Sequence, residues 1–102
     1  ITMNHSKLHD VLTNKLGMKS PIICSGINKI GFRMNPSQKS VEDTISTDIG
    51  VTIAMSILAS GAVRPKEAIE YISKLKGVDS VLFGASTPAH ILETKELLEA
   101  AI

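Results

Sequence analysis

A chain of 102 residues, 43% hydrophobic and 21% charged, supports one modest core, and a formal net charge of +1 gives no electrostatic case for nucleic acid or another polyanion as partner. The longest apolar stretch, Val51 to Ala59, carries Thr52 and Ser56 and is too short to cross a bilayer, and no charged segment followed by an apolar leader core opens the sequence. A cytoplasmic protein without a membrane partner is expected, and the single Cys24 excludes an internal disulfide, while no Cys/His spacing suggests a structural metal.

Leu8, Val11, Leu12 and Leu16 recur at helical spacing and Gly17 follows where a left-handed cap ends a helix, which predicts a helix over 4–16. Pro21 to Ser25 is a short apolar run with proline at its first position, where the missing N–H is tolerated. It predicts a strand over 21–25, and a continuous run rather than alternation is the mark of a parallel strand buried on both faces. The stretch from Gly26 to Met34 is longer than an ordinary strand-to-helix connection. Asn35, Pro36 and Gln38 then supply a cap, a first helical residue and a side chain able to return a hydrogen bond, with Val41 and Ile45 as the apolar stripe of a helix over 36–47.

Val51 to Leu58 carries the strongest strand signal, predicted over 51–58, and is followed by the small-residue loop Ala59 to Val63. Pro65 opens a helix over 65–76, with Ala68, Ile69, Ile72 and Leu75 on one face and Gly77 closing it. A third strand over 79–83, the turn Gly84-Ala85-Ser86 and the cap Thr87-Pro88 lead into a last helix over 88–101, with Ile91, Leu92, Lys95 and Leu98 along it.

The order is αβαβαβα in one segment, an α/β chain of parallel βα repeats whose strands begin near residues 21, 51 and 79. Spacing of about 30 residues suits right-handed βα units. Three strands alone leave two sheet edges unpaired, so further strands are expected from a missing N-terminal half or from another copy of the chain. These features fit the final units of a (βα)₈ TIM barrel, a fold that takes roughly 250 residues when complete. The chain is accordingly expected to be a fragment, with residues 1–102 the C-terminal part of such a barrel.

In that fold the loops after the strands form the working face. Backbone N–H groups at Ser60 and Gly61 and at Gly84, Ala85, Ser86 and Thr87 are little obstructed by side chains, and the second set precedes a helix whose dipole favours an anion. These residues are the predicted site for a small anionic molecule, phosphorylated or carboxylated; the competing reading is that they serve only as turn and cap. Lys29 and Arg33 in the long loop are placed at the same rim as neutralising cations, against the alternative of solvated surface charge, and Asn28 is a polar group able to position a ligand. Cys24 reads as core, Ser25 and Ser56 as polar packing, and His5, His9 and His90 as surface residues. The acids map to outer helix faces, so no catalytic residue is assigned.

The run Gly77-Val78-Asp79-Ser80-Val81-Leu82-Phe83-Gly84-Ala85-Ser86 resembles the "GV-x-S-V-x-x-GAS" close of aldo/keto reductases, and Ile53 to Gly61 is similar to that family's "IAYSPLASG" strand, with Met55 in place of the aromatic and Ile57 in place of the proline. The resemblance covers the C-terminal half. It implies NADP as cofactor, with phosphate contacts from Ser56, Leu58, Ser60, Gly84, Ala85 and Ser86, and an NAD(P)-dependent oxidoreductase as one alternative function. The family's long cofactor-clasping segment and its catalytic residues have no counterpart here, and the segment from Pro21 to Pro36 matches nothing in it. As a whole the chain more closely resembles the C-terminal part of uncharacterised microbial (βα)₈-barrel proteins. A non-catalytic, associating part-barrel module is the other alternative.

Overall fold

A computed structural model of the protein describes residues 1–47 and 49–101. The chain forms a three-stranded parallel sheet with four helices: α1 (His5–Asp10), β1 (Ile22–Gly26), α2 (Gln38–Thr47), β2 (Val51–Met55), α3 (Pro65–Lys74), β3 (Ser80–Val81) and α4 (Pro88–Ala101). The strands lie in the order β1-β2-β3, with Ile23 opposite Thr52, Ser25 opposite Ala54, and Ala54 opposite Val81. No helix of the described residues is long and apolar enough to cross a membrane.

Local chemistry moves several element ends from their predicted places. The first helix begins at the Asn4 cap, whose side chain accepts the Lys7 N–H, and from Val11 to Lys15 it widens into a π-helical turn, with the Leu16 N–H reaching back five residues to the Val11 carbonyl. Helix α2 starts at Gln38 rather than residue 36, because Ser37 caps it by accepting the Ser40 N–H at 3.1 Å. Strand β2 stops at Met55, three residues short of its predicted end, where Ser56 turns to a left-handed φ of 54°. Helix α3 ends at Lys74 rather than residue 76, with Leu75 already extended. Strand β3 is only two residues long, yet a reciprocal pair pins its start: the Asp79 N–H donates to the Thr52 carbonyl at 2.9 Å and the Thr52 N–H to the Asp79 carboxylate at 2.8 Å.

One strand position escaped the periodicity. Thr2 forms a parallel bridge with Ser25, its N–H donating to the Cys24 carbonyl at 2.9 Å, so a strand-like segment also precedes α1 and the βα alternation begins one step earlier. The signal is two or three residues long, too short for any hydrophobic pattern to reveal.

The two sheet faces differ. Ile23, Ser25, Thr52, Ala54 and Val81 point toward the helices, where Val41 and Ile45 of α2 and Ile69 and Ile72 of α3 close a core with Ile27, Met34 and Ile57. Each such aliphatic side chain contributes about 1.5–3 kcal/mol by leaving water. The opposite face carries Ile22, Cys24, Val51, Ile53, Met55 and Leu82 by strand alternation, and it is open: Ile22 is 68% and Leu82 56% exposed. Cys24, expected in the core, is thus half-buried on the open face.

One expectation for a helix face is corrected. His5, read as a surface residue, is 1% exposed, because α1 packs on β1 and brings His5 Nδ1 within 2.9 Å of Ser25 Oγ. His9 stacks on the His5 ring at 6.3 Å and donates from Nε2 to the Ile49 carbonyl at 2.8 Å. In α4 the inward residues are Thr94, Leu97 and Leu98, while Ile91 and Leu92 are about half exposed, so the apolar residues nearest the helix start are not those that pack. Ser25→Ala removes a buried hydrogen-bond partner of His5, and an unfolding free energy lower by about 1–2 kcal/mol is expected in urea titration. A loss below about 0.5 kcal/mol would show that the contact carries no stability.

Candidate functional site

The loops leaving the C-terminal ends of the strands hold the unusual backbone of the protein. Among the described residues, every non-glycine with positive φ lies there: Arg33 (57°) after β1, and Ser56 (54°), Ala59 (48°) and Ser60 (57°) after β2. Each such conformation costs of order 1 kcal/mol for an L-residue and persists only where surrounding packing over-determines it. The packing is visible. Ile57 is 1% and Ala59 3% exposed, and Ala59, Val63 and Ala68 form a small apolar cluster that Phe32 and Leu58 complete. A short 3₁₀ turn, Ala59–Gly61, results, closed by N–H groups of Gly61 and Val63 on the Leu58 carbonyl at 2.9 and 3.0 Å.

Buried Asn28 ties the first loop to the second. Its Nδ2 donates to the Phe32 carbonyl at 2.7 Å and to the Ser56 carbonyl at 3.2 Å, and its Oδ1 accepts the Phe32 N–H at 2.8 Å. An amide with all these partners inside the protein is a brace for the loops, not the ligand-positioning group anticipated from sequence. Gln38 extends the brace from α2, donating to the carbonyls of Asn28 and Lys29 at 3.0 and 2.8 Å. Behind it Tyr71 of α3 donates to Glu42 of α2 at 2.8 Å. Burial, and then the hydrogen bond to the Glu42 carboxylate, hold the Tyr71 phenol well above its ordinary pKa, so it stays a donor across the neutral range.

The loops after β2 and β3 converge. A cleft of about 650 Å³ is lined by residues from Ser56 to Gly61 and from Leu82 to Gly84. An adjoining one of about 370 Å³ runs along the start of α4. Gly61 and Gly84 line both, and neither carries a neighbour that would stop a ligand reaching its backbone. Of the predicted residues, Ser60 lines the larger cleft, Ala85 and Ser86 the smaller, and Thr87 caps α4 by accepting the His90 N–H at 3.2 Å. The larger cleft is walled mainly by apolar side chains and small residues.

Lys29 and Arg33 line neither cleft. The Arg33 guanidinium lies 4.9 Å over the Phe32 ring, and the Lys29 side chain is exposed. The cation beside the smaller cleft is instead Arg64, which sequence reasoning passed over although its place immediately before the helix-opening Pro65 sets it at the rim. His90, Glu93 and buried Thr94 line the same cleft. Among the described residues no three His, Cys, Asp or Glu side chains converge as a metal-binding group. Comparison of the chain with protein-family models, with curated proteins and with solved structures finds no match.

Proposed function

We propose that this chain is the C-terminal part of a (βα)₈-barrel enzyme and that the loops after its last two strands bind the phosphate or carboxylate of a small molecule. The observation that carries the reading is the convergence of Gly61 and Gly84, from loops on neighbouring strands, on one pair of adjoining clefts beside the N-terminus of the 14-residue helix α4. Strained backbone held at Ser56, Ala59 and Ser60 adds to it, since such conformations cluster where a ligand is held.

The barrel part of the proposal draws support from strand order and from the open face. Consecutive parallel strands with no switch in order keep their crossover helices on one side, as in a barrel, whereas a doubly wound sheet reverses its order and is covered on both faces. An uncovered face of Ile22, Val51, Ile53, Met55 and Leu82 matches what lines a barrel interior, and exposed Ile91 and Leu92 on α4 match a helix flanked by another βα unit.

The test is a titration of the full-length protein with inorganic phosphate, followed by amide NMR. The Gly61 N–H closes the turn on the Leu58 carbonyl, so the donors are those of Ser60, Gly84, Ala85 and Ser86. Saturable shifts at these with a Kd of about 1 mM or below are expected for N–H groups and one nearby cation on a dianion. Absence of saturable shifts at these four residues up to about ten times that concentration would sink the reading. NADPH titrated in parallel distinguishes the oxidoreductase alternative, which requires saturation by the dinucleotide.

A further inference from the structure

The smaller cleft holds a feature that a simple anion pocket does not need. Thr94 lies on the inner side of α4, 2% exposed, and lines the cleft. Among the described residues its hydroxyl makes no hydrogen bond, although Thr13 and Thr44, also in helices, donate to the carbonyl four residues back at 2.7 Å each. A buried hydroxyl without a partner is costly and is uncommon in a settled fold. The cleft it lines also carries Arg64, Ser86 and His90.

We infer that the cleft takes a phosphate monoester in two parts, with Arg64 and the backbone N–H groups of Ala85 and Ser86, just ahead of α4, holding the phosphate and the Thr94 hydroxyl bonding an uncharged oxygen or nitrogen on the body of the same molecule. Thr94 stands six residues beyond Pro88, about 9 Å along the helix at 1.5 Å per residue, so a phosphate held at Ala85 and Ser86, ahead of Pro88, does not also reach Thr94. A molecule of sugar-phosphate length spans that distance. The volume of about 370 Å³ suits it. Glu93, also on the lining, stands nearer Thr94 than the helix start and disfavours a second anionic group at that end, which selects a neutral body. The inference rests on the proposed anion site and adds the residues that read the ligand: Arg64 for charge and Thr94 for the body.

The experiment compares the full-length wild type with Arg64→Gln and Thr94→Val, using inorganic phosphate, glycerol 3-phosphate, ribose 5-phosphate and glucose 6-phosphate as calorimetric titrants. At least one monoester should bind about tenfold more tightly than inorganic phosphate, Thr94→Val should erase that advantage while leaving inorganic phosphate unchanged, and Arg64→Gln should weaken all of them about fivefold or more. The ligand-free Thr94→Val protein should melt no lower than the wild type, because an unpaired buried hydroxyl is exchanged for a methyl of the same shape. A fall of more than about 2 °C would place the hydroxyl in a bond within the protein and overturn the inference. So would monoesters that bind no better than inorganic phosphate, or a Thr94→Val variant that binds them as the wild type does. If inorganic phosphate itself fails to bind, the anion site falls, and this inference with it.

Discussion

Asn28→Ala is expected to lower the unfolding free energy by about 3 kcal/mol, because it removes both hydrogens bonded to the Phe32 and Ser56 carbonyls and the acceptor of the Phe32 N–H at a fully buried position. Each lost bond is worth about 1 kcal/mol net, and the stranded carbonyls add the penalty of unsatisfied buried groups. For a single domain this is a large share of a total stability of about 5–15 kcal/mol. The urea midpoint should fall accordingly. Asn28→Asp should do as much damage at neutral pH: it keeps an acceptor for Phe32 but turns a carboxylate toward two carbonyl oxygens. If either variant unfolds within about 0.5 kcal/mol of the wild type, Asn28 does not brace the loops and its side chain is available to a ligand after all.

Gly77→Ala is expected to be worse, with a loss above about 4 kcal/mol and little folded protein at physiological temperature. Gly77 has a φ of 104°, and a Cβ built there would overlap the Ile45 carbonyl oxygen and approach Ser46 N to 3.3 Å. The obstructing atoms are backbone near the end of α2, so relief requires moving a helix whose Val41 and Ile45 lie in the core. Gly17→Ala supplies the comparison: φ is 71°, but nothing lies within 4 Å, so only the left-handed penalty of about 1 kcal/mol applies. Circular dichroism melts of both variants separate steric exclusion from conformational preference. Similar small losses in the two would show that the α2 end yields easily to the turn before β3.

The two predictions meet at the same structural fact. The turn at Gly77 holds α3 and the start of β3 against α2, and Asn28 with Gln38 holds the first loop against the second. Both lock the relative placement of neighbouring βα units, which is what brings Gly61 and Gly84 to one cleft.

The periodic stretches were legible from the amino acids alone. Ala68, Ile69 and Ile72 share a helical face and are buried; Val41 and Ile45 do the same; and the runs at Ile22 and Val51 form parallel strands. In each case the signal is a repeat of apolar side chains matched to a backbone period, and burial follows from it directly. Thr87 and Pro88 likewise mark the start of α4 by side-chain chemistry that acts within one turn. The site residues taken from small, unobstructed backbone, Ser60, Gly61, Gly84, Ala85 and Ser86, do lie on the paired clefts, because loop position follows from strand direction in a parallel sheet.

What depends on contacts between distant residues could not be read that way. Lys29 and Arg33 read as rim cations, yet Asn28 bonds the loop at Phe32, the guanidinium of Arg33 lies over the Phe32 ring, and neither cation lines the clefts. His5 looked like a surface residue because only the packing of α1 on β1 sets it against Ser25. Met55 ends β2 because the Ala59, Val63 and Ala68 cluster draws the chain into a left-handed turn that local strand preference opposes.

The sequence by itself thus determined the α/β alternation, the parallel repeats and the small-residue character of the two working loops, since each is encoded within a turn or two of chain. Only the tertiary structure decided which charges and hydroxyls stand beside those loops. Arg64 and Thr94 reach the cleft because the start of α3 and the inner side of the next helix, α4, leave a gap there, and that gap has no period, motif or local preference to announce it.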